Sequence, residues 1–466
     1  MTTTTARGRR GTTVPGPRAP GPRGVPVLGS LRQWKGGTAE FLLRMQRDHG
    51  EVSRMRLGPY TVHLVTEPAA VGRVLKENSG NYRRGVLYEQ FRTVMGTGLL
   101  TTDGDHWKAH RRAMQPVFTR KAVDAIGPNV VAATTEMLDE WESRARRGEP
   151  VELVTETLRL TLVTLSRSLF DYDIRPAAPV LKDVVGNVVE VMFKHGTIGE
   201  MVPGWLPTRR NRVIARDRRI LSRLVGEIRR HHAVTGEGPL MKLIETASDP
   251  ASGRPWTDEQ IRDEILTIYL AGHETTAVAL IWTLLSIANH PPVQEELDAE
   301  VDGVLGGRPP SAEDVPDLRF TGQVVDESLR LYPPIWIYPR DAVGQDELAG
   351  FHIPAGSSVL LSPLVSHRNP RFWDNPEAFD PHRFDPAVSA GRPKTTYFPF
   401  GAGARMCIGN FMALLELKMI VAMINQRFRL RLVPGEFLRY GDTSISLRPL
   451  SEVRVTLHPR ERGRGA

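Results

Sequence analysis

The spacing of apolar and polar residues changes along the chain. Between 51 and 66 apolar positions roughly alternate (Val52, Met55, Leu57, Tyr60, Val62, Leu64) around a Gly58-Pro59 turn, which predicts a β-hairpin. From about 104 to 330 helical periodicity dominates, broken by Pro and Gly clusters near 203–207, 236–239 and 250–255. Within that stretch Thr257-Asp-Glu-Gln260 has the form of a capping box, and apolar periodicity continues to Asn289, where Pro291-Pro292 forbids continuation. This predicts one helix of about 32 residues, roughly 48 Å long. A second strong helical pattern begins at Asn410, and short strand signals return at 348–362 and 443–457. No internal repeat and no second hydrophobic core are legible. The expected fold is mainly α with small β-sheets in a single domain, residues 25–466. A flexible, basic, Pro/Gly-rich segment, 1–24, is expected to precede it.

The net charge of +8 at first suggests a nucleic-acid or membrane partner. Residues 1–39 carry six Arg, one Lys and no acid, and residues 459–466 add a further excess of two. The body between them is nearly neutral, so the basicity belongs to solvated tails and no nucleic-acid partner is expected. Residues 1–24 lack the apolar stretch of a secretory signal. The longest apolar segment, 265–288, holds His273 and Glu274 at its middle, which lipid would penalise. It reads as a buried core helix rather than a transmembrane anchor, and a soluble cytoplasmic monomer is expected.

One cysteine, Cys407, occurs in 466 residues, so the chain can form no internal disulfide and no multi-cysteine metal site. It can supply one thiolate to a reaction or to a metal held by something else. It sits in Phe400-Gly-Ala-Gly-Ala-Arg-Met-Cys-Ile-Gly409, where three glycines imply a tightly bent backbone close to another body. The helix after it places the sulfur near a helix N-terminus, which favours a negative charge. The loop resembles the haem-binding segment of the cytochrome P-450 monooxygenases, Phe-x-x-Gly-x-Arg-x-Cys-x-Gly. Phe400, Gly403, Arg405, Cys407 and Gly409 fill its fixed positions. The resemblance implies that Cys407 is the axial ligand of the iron in haem b, that O2 is the oxidant, and that the fold is that of the family. A thiolate there pushes electron density toward the iron.

Mid-way along the long helix stands Ala271-Gly-His-Glu-Thr-Thr276, whose Gly and β-branched hydroxyls contradict helix propensity. Such local rule-breaking often marks function. Ala271, Gly272, Thr275 and Ala279 share a face and are small, so a flat cofactor can approach the backbone. Beside the cysteine loop this run resembles the family's oxygen-activation motif. It implies that Thr275 donates a hydrogen bond to dioxygen and that Glu274 relays protons to it, since O–O cleavage consumes two protons. His273 reads as a polar helix residue or groove liner, not a ligand. Trp107 and Arg111 match the family's Trp-x-x-x-Arg, and with Arg340 and Arg405 they are the contacts the resemblance implies for the haem propionates. His110 reads as solvated. Glu327 and Arg330 match Glu-x-x-Arg, and Arg383 would complete a buried network bracing the fold near Cys407.

The family's substrate-facing segments read apolar here: Leu87, Tyr88, Phe91, Val94, Met192, Phe193, Trp205, Ile335, Trp336 and Ile445. Such a lining suits a large hydrophobic small molecule, with a terpenoid or polyketide natural product as the leading expectation and a fatty acid or carotenoid as the alternative. Arg83 and Arg84 either hold an acidic tail or face solvent. No reductase module follows residue 466, so electrons are expected from NAD(P)H through a ferredoxin and its reductase, docking near Arg405 and Lys418. A peroxide-using haem-thiolate enzyme is the nearest rival, but such relatives generally lack the acid–alcohol pair. A haem sensor needs neither a proton relay nor a large apolar groove.

Overall fold

A computed structural model describes residues 16–460, apart from 86–87, 89–90, 93–94, 179, 182–183, 185–205, 249–252, 436–439 and 442–445. The helix expected at the centre runs from Asp258 to Ala288. Its capping box is formed: the Gln260 amide donates to the Thr257 hydroxyl at 3.3 Å, and Thr257 N–H donates to Gln260 Oε1 at 2.9 Å. The next helix starts at Pro291, as the missing proline N–H requires. Among the described residues this is the one helix long and apolar enough to cross a membrane, and most of its apolar window is buried in the protein. It packs against Leu153–Phe170, Arg319–Leu331 and Asn410–Arg427, and these helices with Gly127–Arg146 enclose the largest apolar cluster.

The hairpin expected over 51–66 is present as Val52–Leu57 and Tyr60–Val65, with Val52 opposite Val65 and Gly58 at φ +61° in the turn. It is one edge of a five-stranded sheet. Tyr60–Val65 pairs in parallel with Ser358–Leu361, which pairs antiparallel with Tyr338–Ala342, and Tyr82–Arg83 closes the order. The sheet carries an apolar cluster on each face. Val52, Val65, Val359 and Leu361 point one way, and Met55, Leu57, Val62, Leu64 and Leu360 point the other. These two smaller clusters were not legible in the sequence because they arise from strands almost 300 residues apart. A three-stranded sheet joins Val151–Glu152, Arg454–Pro459 and Phe428–Leu432.

The described part of the Pro/Gly-rich lead-in, 16–24, is laid on the body. Arg54 N–H donates to Pro20 O at 2.7 Å and His352 N–H to Pro17 O at 3.0 Å, while Ala19 is buried. Proline cannot donate, but its carbonyl can accept from an otherwise open sheet edge. Residues 1–15 lie outside the described residues.

Candidate active site

A cavity of about 320 Å³ lies between the central helix and the cysteine loop. Phe400, Met406, Cys407 and Gly409 form one wall, and Ala271, Gly272, Glu274, Thr275 and Ala279 the other. The loop is closed by Cys407 N–H donating to Phe400 O at 2.9 Å. Gly403, at φ +70°, sits so close to Leu75 that a Cβ would meet its carbonyl oxygen at 2.0 Å. The body the loop lies against at that point is therefore protein. The following helix begins at Asn410, three residues beyond the cysteine. Enclosure pushes the Cys407 thiol above its ordinary value, while the Gly409 amide and the Arg111 charge pull it back toward thiolate. Metal coordination deprotonates a thiol outright and would resolve that opposition.

On the facing helix the hydroxyl of Thr275 donates to Ala271 O at 2.8 Å, and the Glu274 carboxylate accepts from Ser446 Oγ at 2.7 Å. Gly272 has a second reason to be small: a Cβ there would meet Leu165 Cδ1 at 2.9 Å, so it also sets the approach of Leu153–Phe170. His273 is buried and does not line the cavity. Its Nδ1 bonds Tyr269 O at 2.8 Å, Thr161 donates to its carbonyl at 2.9 Å, and burial holds its basicity down.

One edge of the cavity is crowded with cations. Trp107, Arg111, Arg340 and Arg405 all line it, as expected, and Arg84 joins them. Arg405 stacks 4.0 Å over the Trp107 ring and pairs with Asp103, and Arg111 donates to Met406 O at 2.7 Å. Burial lowers Arg405 to about 9, with Arg84 and Arg340 adding to it, and burial lowers Arg84 to about 10, with Arg340 adding to it. Both stay charged at neutral pH, so the cluster is short of anions. Arg84 Nε is buried with no hydrogen-bond partner among the described residues. A ligand carrying two carboxylates, as haem does, supplies what this edge lacks. Tyr88 belongs to the cation cluster as much as to a substrate wall. Burial alone would raise its phenol, but Arg340 and Arg84 outweigh it and hold it below the ordinary value.

The bracing network is complete. Arg330 forks onto Glu327 at 2.6 and 2.8 Å, and Arg383 donates to it at 3.0 Å. Arg330 also donates to the carbonyls of His367, Pro376 and Ala378. His367 connects this network to the loop: its Nε2 accepts from Phe398 N–H at 3.0 Å, two residues before Phe400. Burial, with Arg330 beside it, lowers His367 to about 3, so it stays neutral and able to accept.

Several expectations need correction. Trp336 does not line the cavity. It is 1% exposed and packs in the cluster between the sheet and helix Thr38–His49, because Ile335, its neighbour on an extended chain, takes the cavity side. His110 is buried rather than solvated, bonded to Glu264 of the central helix and stacked between His106 and Trp256. Arg405 faces inward, not toward a docking partner. Arg83 is exposed, and Phe91 and Ile335 line the cavity as expected. Leu87, Val94, Met192, Phe193, Trp205 and Ile445 lie outside the described residues.

Sequence reading also missed Glu416. It lines the cavity fully buried, its Oε1 has no partner among the described residues, and burial raises it to about 8. The folded protein therefore keeps a proton there that the unfolded chain releases near ~4.3. Stability should fall as pH rises from about 4.3 to about 8, by about 3–4 kcal/mol at pH 7. Glu416→Gln is expected to abolish that slope in urea melts compared at about pH 5 and about pH 8. Equal slopes in the two proteins would contradict this account.

A family model described as Cytochrome P-450 matches residues 19–450. The chain is 32% identical over 423 residues to cyclooctatin synthase of Streptomyces melanosporofaciens, covering 90% of this chain and 91% of that one. It is 33% identical to cyclooctat-9-en-7-ol 5-monooxygenase of the same organism, covering 90% of each. The crystal structure of the cytochrome P-450DA heme domain superposes with a TM-score of 0.85 at 27% identity, covering 96% of this chain and 99% of that one. The chain thus belongs to the cytochrome P-450 family as a haem-thiolate monooxygenase.

Proposed function

We propose that the protein inserts one oxygen atom into a bulky, carbocyclic natural product of the terpenoid type. The observation that carries this reading is the wall above Ala271 and Thr275: Phe91, Leu99, Leu100, Leu165, Ile268 and Ile335 offer apolar contact on several sides. The relatives named for cyclooctatin and cyclooctat-9-en-7-ol support a ring substrate with few polar groups.

When bound, the haem supplies dioxygen activation and oxygen transfer. Cys407 would hold its iron, and Trp107, Arg111, Arg340, Arg405 and Arg84 would hold its carboxylates. Ala271 and Gly272 leave the helix backbone open at the reacting centre. Thr275 Oγ1 presents a hydroxyl there that both accepts and donates a proton, and it reaches the cavity by leaving the Ala271 carbonyl. Glu274, next to it on the helix, reloads it as a proton carrier. The apolar wall keeps other water from the reacting carbon. Electrons arrive from a ferredoxin and its NAD(P)H-dependent reductase in the cytoplasm. Exposed Phe411, in the helix after the cysteine, with Lys76 against Gly403, forms the surface where an acidic carrier would dock.

Titration of the purified ferric enzyme with cyclic terpenes, macrolides and fatty acids tests the substrate class. A spectral shift with terpenes is expected, and a response to fatty acids alone would overturn the reading. Thr275→Ala should lower product formed per NAD(P)H consumed by about 10²-fold, the lower end of what general acid–base catalysis contributes. Full coupling in that variant would remove Thr275 from the relay.

A further inference from the structure

The partner of Glu274 comes from the far end of the chain. Ser446 Oγ donates to Glu274 Oε1 at 2.7 Å, and Arg448 Nη1 stands 4.0 Å from the same oxygen. The segment that presents them is pinned on two sides. Leu447 N–H donates to Pro334 O at 2.9 Å, and Trp282 Nε1 donates to Leu447 O at 2.6 Å. Ser446 also bridges Ile335, a cavity-lining residue. The hydroxyl is therefore held in place by the scaffold rather than by its own rotamer preference. Ser446 is 2% exposed, whereas the Arg448 side chain is 38% exposed. Glu274 and Ser446 both line the cavity, and Arg448, beside the same carboxylate oxygen, opens this end of the pair toward the surface.

A buried carboxylate needs a donor, and a backbone amide or a close guanidinium would satisfy it. A serine hydroxyl differs from both because it can accept as it donates. Arg448 is too far from Oε1 for a hydrogen bond, so it does not lock the carboxylate. Its partly exposed side chain brings solvent close to the carboxylate.

We propose that Ser446 positions Glu274 and reloads it with protons drawn from water at the exposed edge of Arg448. The inference rests on the reading of Glu274 as a proton carrier. In the step, the Ser446 O–H bond breaks as an O–H bond forms on Glu274 Oε1. A surface water returns a proton to Ser446 Oγ, and bulk solvent neutralises the hydroxide. No electrons move.

The test compares Ser446→Ala, Ser446→Thr and Glu274→Gln in the haem-loaded enzyme with a surrogate ferredoxin pair. Ser446→Ala is expected to lower product per NAD(P)H about tenfold, part of the ~10²–10⁴-fold available to general acid–base catalysis. It should also enlarge the solvent deuterium isotope effect and shift the Glu274 carboxylate infrared band, identified by difference from Glu274→Gln in the resting ferric protein. Ser446→Thr, which keeps the hydroxyl, should restore coupling. If Ser446→Ala couples fully while Glu274→Gln does not, the proposal fails and Glu274 keeps its role. If Glu274→Gln also couples fully, the carrier reading falls and takes the proposal with it. Loss of substrate affinity in Ser446→Ala without an isotope effect and without rescue by threonine would assign Ser446 to packing alone and overturn the proposal.

Discussion

Replacing Glu327 by alanine is expected to cost the protein about 3–5 kcal/mol, because it leaves the buried Arg330 without a carboxylate partner. Glu327 and the Arg330 side chain are 0% exposed and Arg383 is 7% exposed, so water cannot take over as their partner. The backbone also loses an acceptor, because Asp380 N–H donates to Glu327 Oε1 at 2.9 Å. Domains of ordinary stability have about 5–15 kcal/mol in hand, so most of the chain should be unfolded or unable to retain cofactor at growth temperature. The effect should extend to the active site, because Arg330 holds the His367 carbonyl and His367 holds Phe398. Chemical unfolding of the variant, together with its haem content, measures this. A loss below about 1 kcal/mol, the worth of an exposed ion pair, would contradict the network's structural role.

Replacing Cys407 by serine acts at the site rather than on the fold. The residue makes no disulfide, and its backbone bond to Phe400 O does not depend on the sulfur. The variant should therefore melt like the parent when both are stripped of cofactor. A serine hydroxyl stays protonated where a thiol ionises, so the axial anion is lost. Oxygen-dependent turnover should fall by at least the ~10²–10³-fold that removal of one preorganised electrostatic contact costs an enzyme. Turnover retained within about tenfold of wild type would exclude Cys407 as the anion supplied to the iron.

What could be read in the sequence was contiguous. The cysteine loop, the capping box at Thr257 and the small residues around Gly272 are local patterns that break or obey local rules, and the structure places the loop and those small residues on facing walls of one cavity. The Glu327 network was legible because its spacing matched a known pattern. What escaped depends on pairings between distant segments. Ser446 and Glu274 are 172 residues apart and His110 and Glu264 are 154 apart. Single-residue propensity assigned His110 to solvent because imidazole is usually exposed, and only its Glu264 partner and flanking rings explain its burial. Trp336 was assigned to the wrong side because alternation on an extended chain fixes a phase only once one neighbour is placed. Arg84 was ambiguous for the same reason: Arg83 and Arg84 point opposite ways, and the cluster that claims Arg84 is drawn from four separate segments.

The ferrous carbonyl spectrum of the haem-loaded enzyme bears most directly on these conclusions. With sulfur 407 ionised and bound, the absorption maximum takes the red-shifted position of a thiolate-ligated haem, and Cys407→Ser loses it. A maximum at the position of an imidazole-ligated haem in the wild-type protein, or one unmoved by that substitution, would contradict the assignment of the iron ligand.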